Sequence, residues 1–172
     1  MQPTVSPTSH VNQKRPLQKG ANDHVSDQTR MVAFETRDLA LSPTVQPKVL
    51  VVEDDAAIAR AYVRAGRASG YEVIATSNGR DAIELAVSEK PHAIILDIGL
   101  PGLDGRDVMV MFNSMGITAN TVVVIVSGHD QQHDRVAGLR LGAHDYETKP
   151  VRADLLFSKV GRLLEKMRAG AI

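Results

Sequence analysis

The chain has 172 residues, 43% of them hydrophobic and only 3% aromatic, which suits one domain with a largely aliphatic core plus an appendage, or two very small domains. Its 20 basic and 20 acidic residues cancel, which speaks against direct binding of nucleic acid, and without cysteine it has no disulfide framework, thiolate chemistry or cysteine metal site. No apolar run approaches the roughly 20 residues needed to cross a bilayer and no apolar signal core opens the chain, so a cytoplasmic protein without membrane insertion is expected.

Residues 1–46 differ from the rest. Pro3, Pro7, Pro16 and Pro43, among many Ser, Thr, Gln and Asn residues, interrupt any periodicity, and such a stretch buries too little apolar surface to offset its ordering entropy. A mostly disordered N-terminal extension is expected. Within it, residues 26–41 carry few breakers and could form a short helix anchored by Val32, Phe34, Leu39 and Leu41. A start at Met31 or later is an alternative reading of the same stretch.

From residue 47 onward the pattern is regular. Val49–Val52 is a buried strand ending in Glu53-Asp54-Asp55, and Ala56–Ser69 is a helix stopped by Gly70. Tyr71–Ala75 is a second strand. Gly79–Glu89 is a helix with Ala82, Ile83, Ala86 and Val87 on one face, ended by Pro91. Ala93–Leu96 runs into Asp97, and the Pro and Gly residues that follow stop the strand. Arg106–Met115 reads as helix, with Val108, Met111, Phe112 and Met115 spaced for burial. Thr121–Val126 is a β-branched strand, 131–141 a helix closed by Gly142, and Ala143–Thr148 a short fifth strand. Arg152–Met167 is a last helix, with Leu155, Leu156, Val160, Leu163 and Leu164 inward. Five strands alternating with five helices predict an α/β, flavodoxin-like, doubly wound five-stranded parallel sheet of order 2-1-3-4-5.

In that order the first and third strands are neighbours at the switch point, where ligands of open α/β sheets bind. Glu53, Asp54 and Asp97 would then converge in one crevice. Like charges so close repel unless a cation neutralises them, and hard oxygen ligands suit Mg²⁺. Ser127 and Lys149 end the fourth and fifth strands on the same edge. The set is a toolkit for phosphoryl transfer: a carboxylate nucleophile in Asp97, a hydroxyl and an ammonium for the phosphoryl oxygens, and charge neutralisation as the main source of catalysis.

Four stretches, Val51-Val52-Glu53-Asp54-Asp55, Leu96-Asp97 through Asp104-Gly105, Val126-Ser127-Gly128 and Gly142-Ala143 through Lys149-Pro150, together resemble the receiver domain of two-component response regulators. The resemblance covers about residues 48–168, in order and at family spacing. It implies that Asp97 is the phospho-acceptor, charged by a sensor histidine kinase or a histidine phosphotransfer protein. It implies Asp54 as direct Mg²⁺ ligand, Glu53 acting through water, and Gly99 supplying its backbone carbonyl. Ser127 would hydrogen-bond the phosphoryl group, Lys149 would pair with it, and Lys149-Pro150 would be cis. Tyr146 would be an aromatic switch that turns inward as Ser127 moves. Arg135, Asp145 and Lys159 resemble charged positions of the face built by the fourth helix, fifth strand and fifth helix, a docking surface for an output protein or a phosphorylation-dependent homodimer. With only residues 168–172 after the last helix, a regulator without an attached output domain is expected, rather than an enzyme.

Departures from the family pattern fall at Gly128, at Gly99 and His129, whose positions in the family tune how fast the phosphoryl group hydrolyses, at Ala65-Gly66, where large aliphatics are usual, and at Val151. Asp104 reads as a turn residue rather than a ligand. His129 and His133 read as a solvated helix start. Other functions weigh less. A dehalogenase-type phosphatase needs a second acid where Gly99 stands, and a nucleotide enzyme needs a Gly-rich phosphate loop where the chain is acidic. The remaining alternative is a pseudo-receiver, a scaffold that keeps the fold and acts without phosphorylation.

Overall fold

The computed structural model describes residues 46–128 and 132–172. The expectations for residues 1–45, including the helix over 26–41, lie outside these residues, as does every reading that rests on His129.

Strand β1 (Lys48–Val52) pairs in parallel with β2 (Glu72–Thr76) and β3 (Ala93–Asp97); β4 (Val122–Ser127) joins β3, and β5 (Asp145–Thr148) joins β4. The order is β2-β1-β3-β4-β5, the flavodoxin-like arrangement expected. Helices α1 (Ala56–Ala68), α2 (Gly79–Glu89), α3 (Gly105–Ser114), α4 (Gln132–Arg140) and α5 (Ala153–Arg168) supply the crossovers, with a 3₁₀ turn at Ile117–Ala119. β2 starts one residue later than the sequence suggests for a local reason. The Tyr71 N–H is taken by the Gly66 carbonyl at the end of α1, so the ladder opens with Glu72 donating to the Pro47 carbonyl.

Side chains alternate across the sheet and build two cores. Leu50, Val52, Ile94, Leu96, Val123 and Ile125 face α2 and α3, whose Ala82, Ala86, Val108, Met109 and Phe112 close over them. Val49, Val51, Ile95, Val122, Val124 and Val126 face the other way, under Tyr62 of α1 and Leu156, Phe157, Val160, Leu163 and Leu164 of α5.

Four helix-face expectations need correction. Val87, Met111, Met115 and Leu155 are 48%, 43%, 46% and 58% exposed. The buried stripe of α3 runs Gly105, Val108, Met109, Phe112, so it is centred one residue away from the expected one and leaves Met111 and Met115 on its flank. In α5 the inward stripe takes Phe157 in place of Leu155. In α2 it runs Gly79, Ala82, Ala86, leaving Val87 outside.

The small residues of α1 have a packing reason. A Cβ on buried Gly66 would lie 2.6 Å from the Phe157 ring and 2.7 Å from Val73. The helix backbone therefore rests directly on a phenyl ring of α5, and the aromatic takes the volume that an aliphatic on α1 would fill. Caps fix the helix starts: Asp55 accepts from the N–H groups of Ala57 and Ile58 at 2.7 and 3.0 Å. Asp104 accepts from the Arg106 N–H at 2.8 Å and caps α3, the turn role expected of it.

His144, just before β5, is held by both its backbone and its ring. Its N–H donates to the Val123 carbonyl at 2.7 Å, and its Nδ1 accepts the Val123 N–H at 3.1 Å. The ring must be neutral to accept, and burial depresses its pKa below the ordinary 6.5. A depressed histidine binds fewer protons folded than unfolded. Its stabilising contribution is therefore full above that ordinary value and is lost as pH falls below it. Thermal melts of His144→Gln are expected to change less with pH, from about 7.5 down to about 5.5, than those of the parent chain.

Among the described residues no helix is long and apolar enough to cross a membrane.

Candidate functional site

The switch point lies between β1 and β3, and the residues at their carboxyl ends meet there. The Glu53 N–H donates to the Thr76 carbonyl at 3.1 Å, which extends the β1 ladder by one residue and turns the Glu53 side chain under the edge, where it is 2% exposed. Asp97, the last residue of β3, is 5% exposed; Asp54 is exposed. One carboxylate oxygen from each of Glu53, Asp54 and Asp97 lies within 4.8 Å of the others.

Lys149 reaches into this cluster from the end of β5. Its Nζ lies 2.7 Å from Asp97 Oδ2 and donates to Glu53 Oε1 at 2.9 Å. The same ammonium forms an ion pair with Glu53 Oε2 at 2.8 Å, and among the described residues that buried oxygen accepts no hydrogen bond. The other oxygen of Asp97, Oδ1, accepts the Gly99 N–H at 2.9 Å. The Lys149-Pro150 peptide is cis, and the Lys149 N–H donates to the Ser127 carbonyl at 2.7 Å, which ties the ammonium's backbone to the end of β4.

Burial raises the pKa of Glu53; hydrogen bonding to Lys149 opposes this and the charge of Asp97 adds to it, for a net rise. Burial works against the Lys149 ammonium, but its hydrogen bonds to Asp97 and Glu53 outweigh that and hold it above 10.5. Three carboxyl groups thus gather where one ammonium pairs with two of them, and among the described residues one buried carboxylate oxygen accepts no hydrogen bond. Among the described residues that donor set is all oxygen, with one exposed carboxylate open to water, and it fits a small, hard divalent cation.

Glycine 105 is a residue whose part the sequence reading missed. A Cβ there would lie 2.3 Å from the Asp97 carbonyl oxygen and 2.7 Å from Ile98 Cα, and its N–H donates to the Ile98 carbonyl at 3.0 Å. The first residue of α3 therefore packs flush against the peptide that carries Asp97. The available signal was a glycine directly after the Asp104 cap.

The structure brings Glu53, Asp54, Asp97 and Lys149 together, with Gly99 beside Asp97 and fully buried Ser127 at the end of the next strand. Tyr146 lies one strand further. Its ring is in the α2–α3 core, 2% exposed, and a Cβ on Gly138 of α4 would touch it at 3.5 Å. Arg135, Asp145 and Lys159 also come together. Lys159 pairs with Asp145 at 2.8 Å and with Glu147, Arg135 lies 3.7 Å from Asp145, and the Arg135 guanidinium donates to the Tyr146 carbonyl at 3.1 Å. The network spans α4, β5 and α5. Burial opposes ionisation of Asp145, but Lys159 and the Tyr146 N–H hold its carboxyl below the usual range.

Similar proteins point the same way. The chain is 38% identical over 120 residues to the transcriptional regulatory protein PrrA of Mycobacterium tuberculosis, covering 70% of this chain and 51% of that one. It is 35% identical over 124 residues to the alkaline phosphatase synthesis transcriptional regulatory protein PhoP of Bacillus subtilis, covering 72% and 51%. It thus spans about half the length of these curated relatives. Among solved structures, the receiver domain of the Francisella response regulator 1452 superposes with a TM-score of 0.66 at 31% identity, covering 70% of this chain and 98% of that one. The response regulator receiver domain family matches residues 49–161, and with the strand order and the acidic edge in place, the chain belongs to that family.

Proposed function

We propose that this protein is a cytoplasmic, phosphorylation-controlled signalling module, with residues 47–172 as its receiver unit and Asp97 as its phospho-acceptor. The observation that carries this reading is the Lys149 ammonium, 2.7 Å from the buried Asp97 carboxylate. A carboxylate flanked by two others is a poor nucleophile toward an anionic phosphoryl group unless positive charge offsets the repulsion. An Asp97 oxygen attacks phosphorus, the P–N bond of a phosphohistidine breaks, and the electron pair leaves with the imidazole. The donor is a sensor histidine kinase or a histidine phosphotransfer protein.

Asp54, Asp97 and the Gly99 carbonyl are the residues that would hold Mg²⁺, with Glu53 acting through water. When bound, the cation neutralises charge on the carboxylates and the phosphoryl oxygens. The Lys149 ammonium covers a second oxygen and the Ser127 hydroxyl a third. Ser127 and Tyr146 then bias the charged face of α4, β5 and α5, where an output protein or a second copy of the chain docks. The burial of Tyr146 and the tie from Arg135 to its carbonyl support a link between that ring and that face.

The test is an intact-mass measurement on the full chain with Mg²⁺ and acetyl phosphate. A single phosphoryl adduct that disappears with EDTA is expected. No adduct under rapid quenching overturns the reading in favour of a phosphorylation-independent scaffold.

A further inference from the structure

At the opposite end of the sheet from the acidic edge, a cavity of about 410 Å³ opens between the C-terminal ends of α2 and α3. That volume lies in the range of small-molecule sites, roughly 300–1,000 Å³. Its walls are of two kinds. Ala86, Val87, Met115 and Ile117 form the apolar part, and Val87 and Met115 keep 48% and 46% of their surface exposed, so apolar area is open to an occupant.

Lys90 and His92 supply the polar part. Lys90 caps α2 in the left-handed region, with φ 47° and ψ 58°. It is the sole described residue other than glycine with positive φ, and glycine would take that conformation without steric cost. What lysine adds there is a charge. Helix-end electrostatics favour a cation at this point, and the side chain lines the cavity beside it. Among the described residues Lys90 makes no ion pair, whereas the neighbouring Glu89 is already matched by Lys48 at 2.7 Å. His92 has its tautomer set by the backbone. Its Nδ1 accepts the Lys48 N–H at 3.0 Å, so the ring hydrogen sits on Nε2, and no described residue accepts it.

We propose that this cavity is a binding site for a small amphipathic monocarboxylate. The apolar body lies against Val87, Met115 and Ile117, and the carboxylate meets the Lys90 ammonium and the His92 Nε2–H. The site is at the far end of the sheet from Asp97 and uses none of the residues of the acidic edge, so it stands whether or not Asp97 is phosphorylated.

The probe is octanoate, titrated into the isotope-labelled full chain and followed by amide chemical shifts, with 1-octanol as the neutral control. Saturable shifts are expected at residues 86–92 and 115–121. Octanol is expected to bind about tenfold more weakly or worse, the loss typical of one charge-assisted contact. Lys90→Gly keeps the left-handed cap, so it should fold as well as the parent while losing the preference for octanoate over octanol. No saturable shift, equal affinity for the alcohol, or an undiminished preference in Lys90→Gly would each overturn the proposal.

Discussion

Replacing Asp97 with Asn is expected to abolish phosphoryl incorporation from acetyl phosphate entirely, with the adduct absent by intact mass under conditions that label the parent chain. The amide is nearly isosteric but has no anionic oxygen to attack phosphorus. A second readout separates this chemical loss from damage to the fold. Asp97 is one of three carboxylates gathered within 4.8 Å, and it shares the Lys149 ammonium with Glu53. Removing its charge relieves repulsion in the cluster and leaves Lys149 with one carboxylate partner. Without added metal, Asp97→Asn should therefore melt no lower than the parent. A ligand that binds the folded state alone stabilises it by about 2.7 kcal/mol at a hundred times its dissociation constant. Addition of Mg²⁺ should thus raise the melting temperature of the parent clearly and that of the variant less, because one ligand is gone. An equal Mg²⁺ response in the two proteins would remove Asp97 from the metal site.

The largest effect on stability is expected where α1 meets α5. Gly66→Leu forces a side chain into space held by the Phe157 ring and Val73, whose atoms lie 2.6 and 2.7 Å from where its Cβ would be. Overpacking of this kind costs about 1–3 kcal/mol and sometimes more. Phe157→Ala on its own empties a fully buried site and should cost about 3–5 kcal/mol. The double variant places the leucine in the vacated volume and should be markedly more stable than the sum of the two losses predicts. Urea unfolding of the four proteins measures the coupling. Simple additivity would show that the two residues do not share one packing volume, against the close approach seen here.

Much of this was legible in the residues alone. The β-branched and aliphatic runs before Glu53, Asp97 and Ser127 are short and bounded by acidic and turn residues, which reads as buried strands, and their alternation with helical stretches implies a parallel sheet. Once the order 2-1-3-4-5 is chosen, the convergence of Glu53, Asp54 and Asp97 follows from strand adjacency, because chain direction puts every carboxyl end on one edge. The outer faces of the helices were less legible. Met111, Met115, Val87 and Leu155 are as apolar as residues of the same helices that are buried, and composition does not say which side of an apolar helix the sheet will take. In α3 the choice fell to Met109 because Gly105, fixed flush against the Asp97 peptide, sets the rotation of the whole helix.

The sequence by itself thus determined the strands, their ends, the identity of the ionisable groups at those ends and, through them, the chemistry open to the acidic edge. These depend on local hydrophobic pattern and on chain direction. Only the tertiary structure decided how those groups pair. Lys149 bridges two carboxylates, Tyr146 sits inside the core, and Gly66 admits Phe157. Each of these depends on distances between residues far apart in the chain, set by how two helices and a sheet fill one volume, and periodicity along a single element carries no record of that.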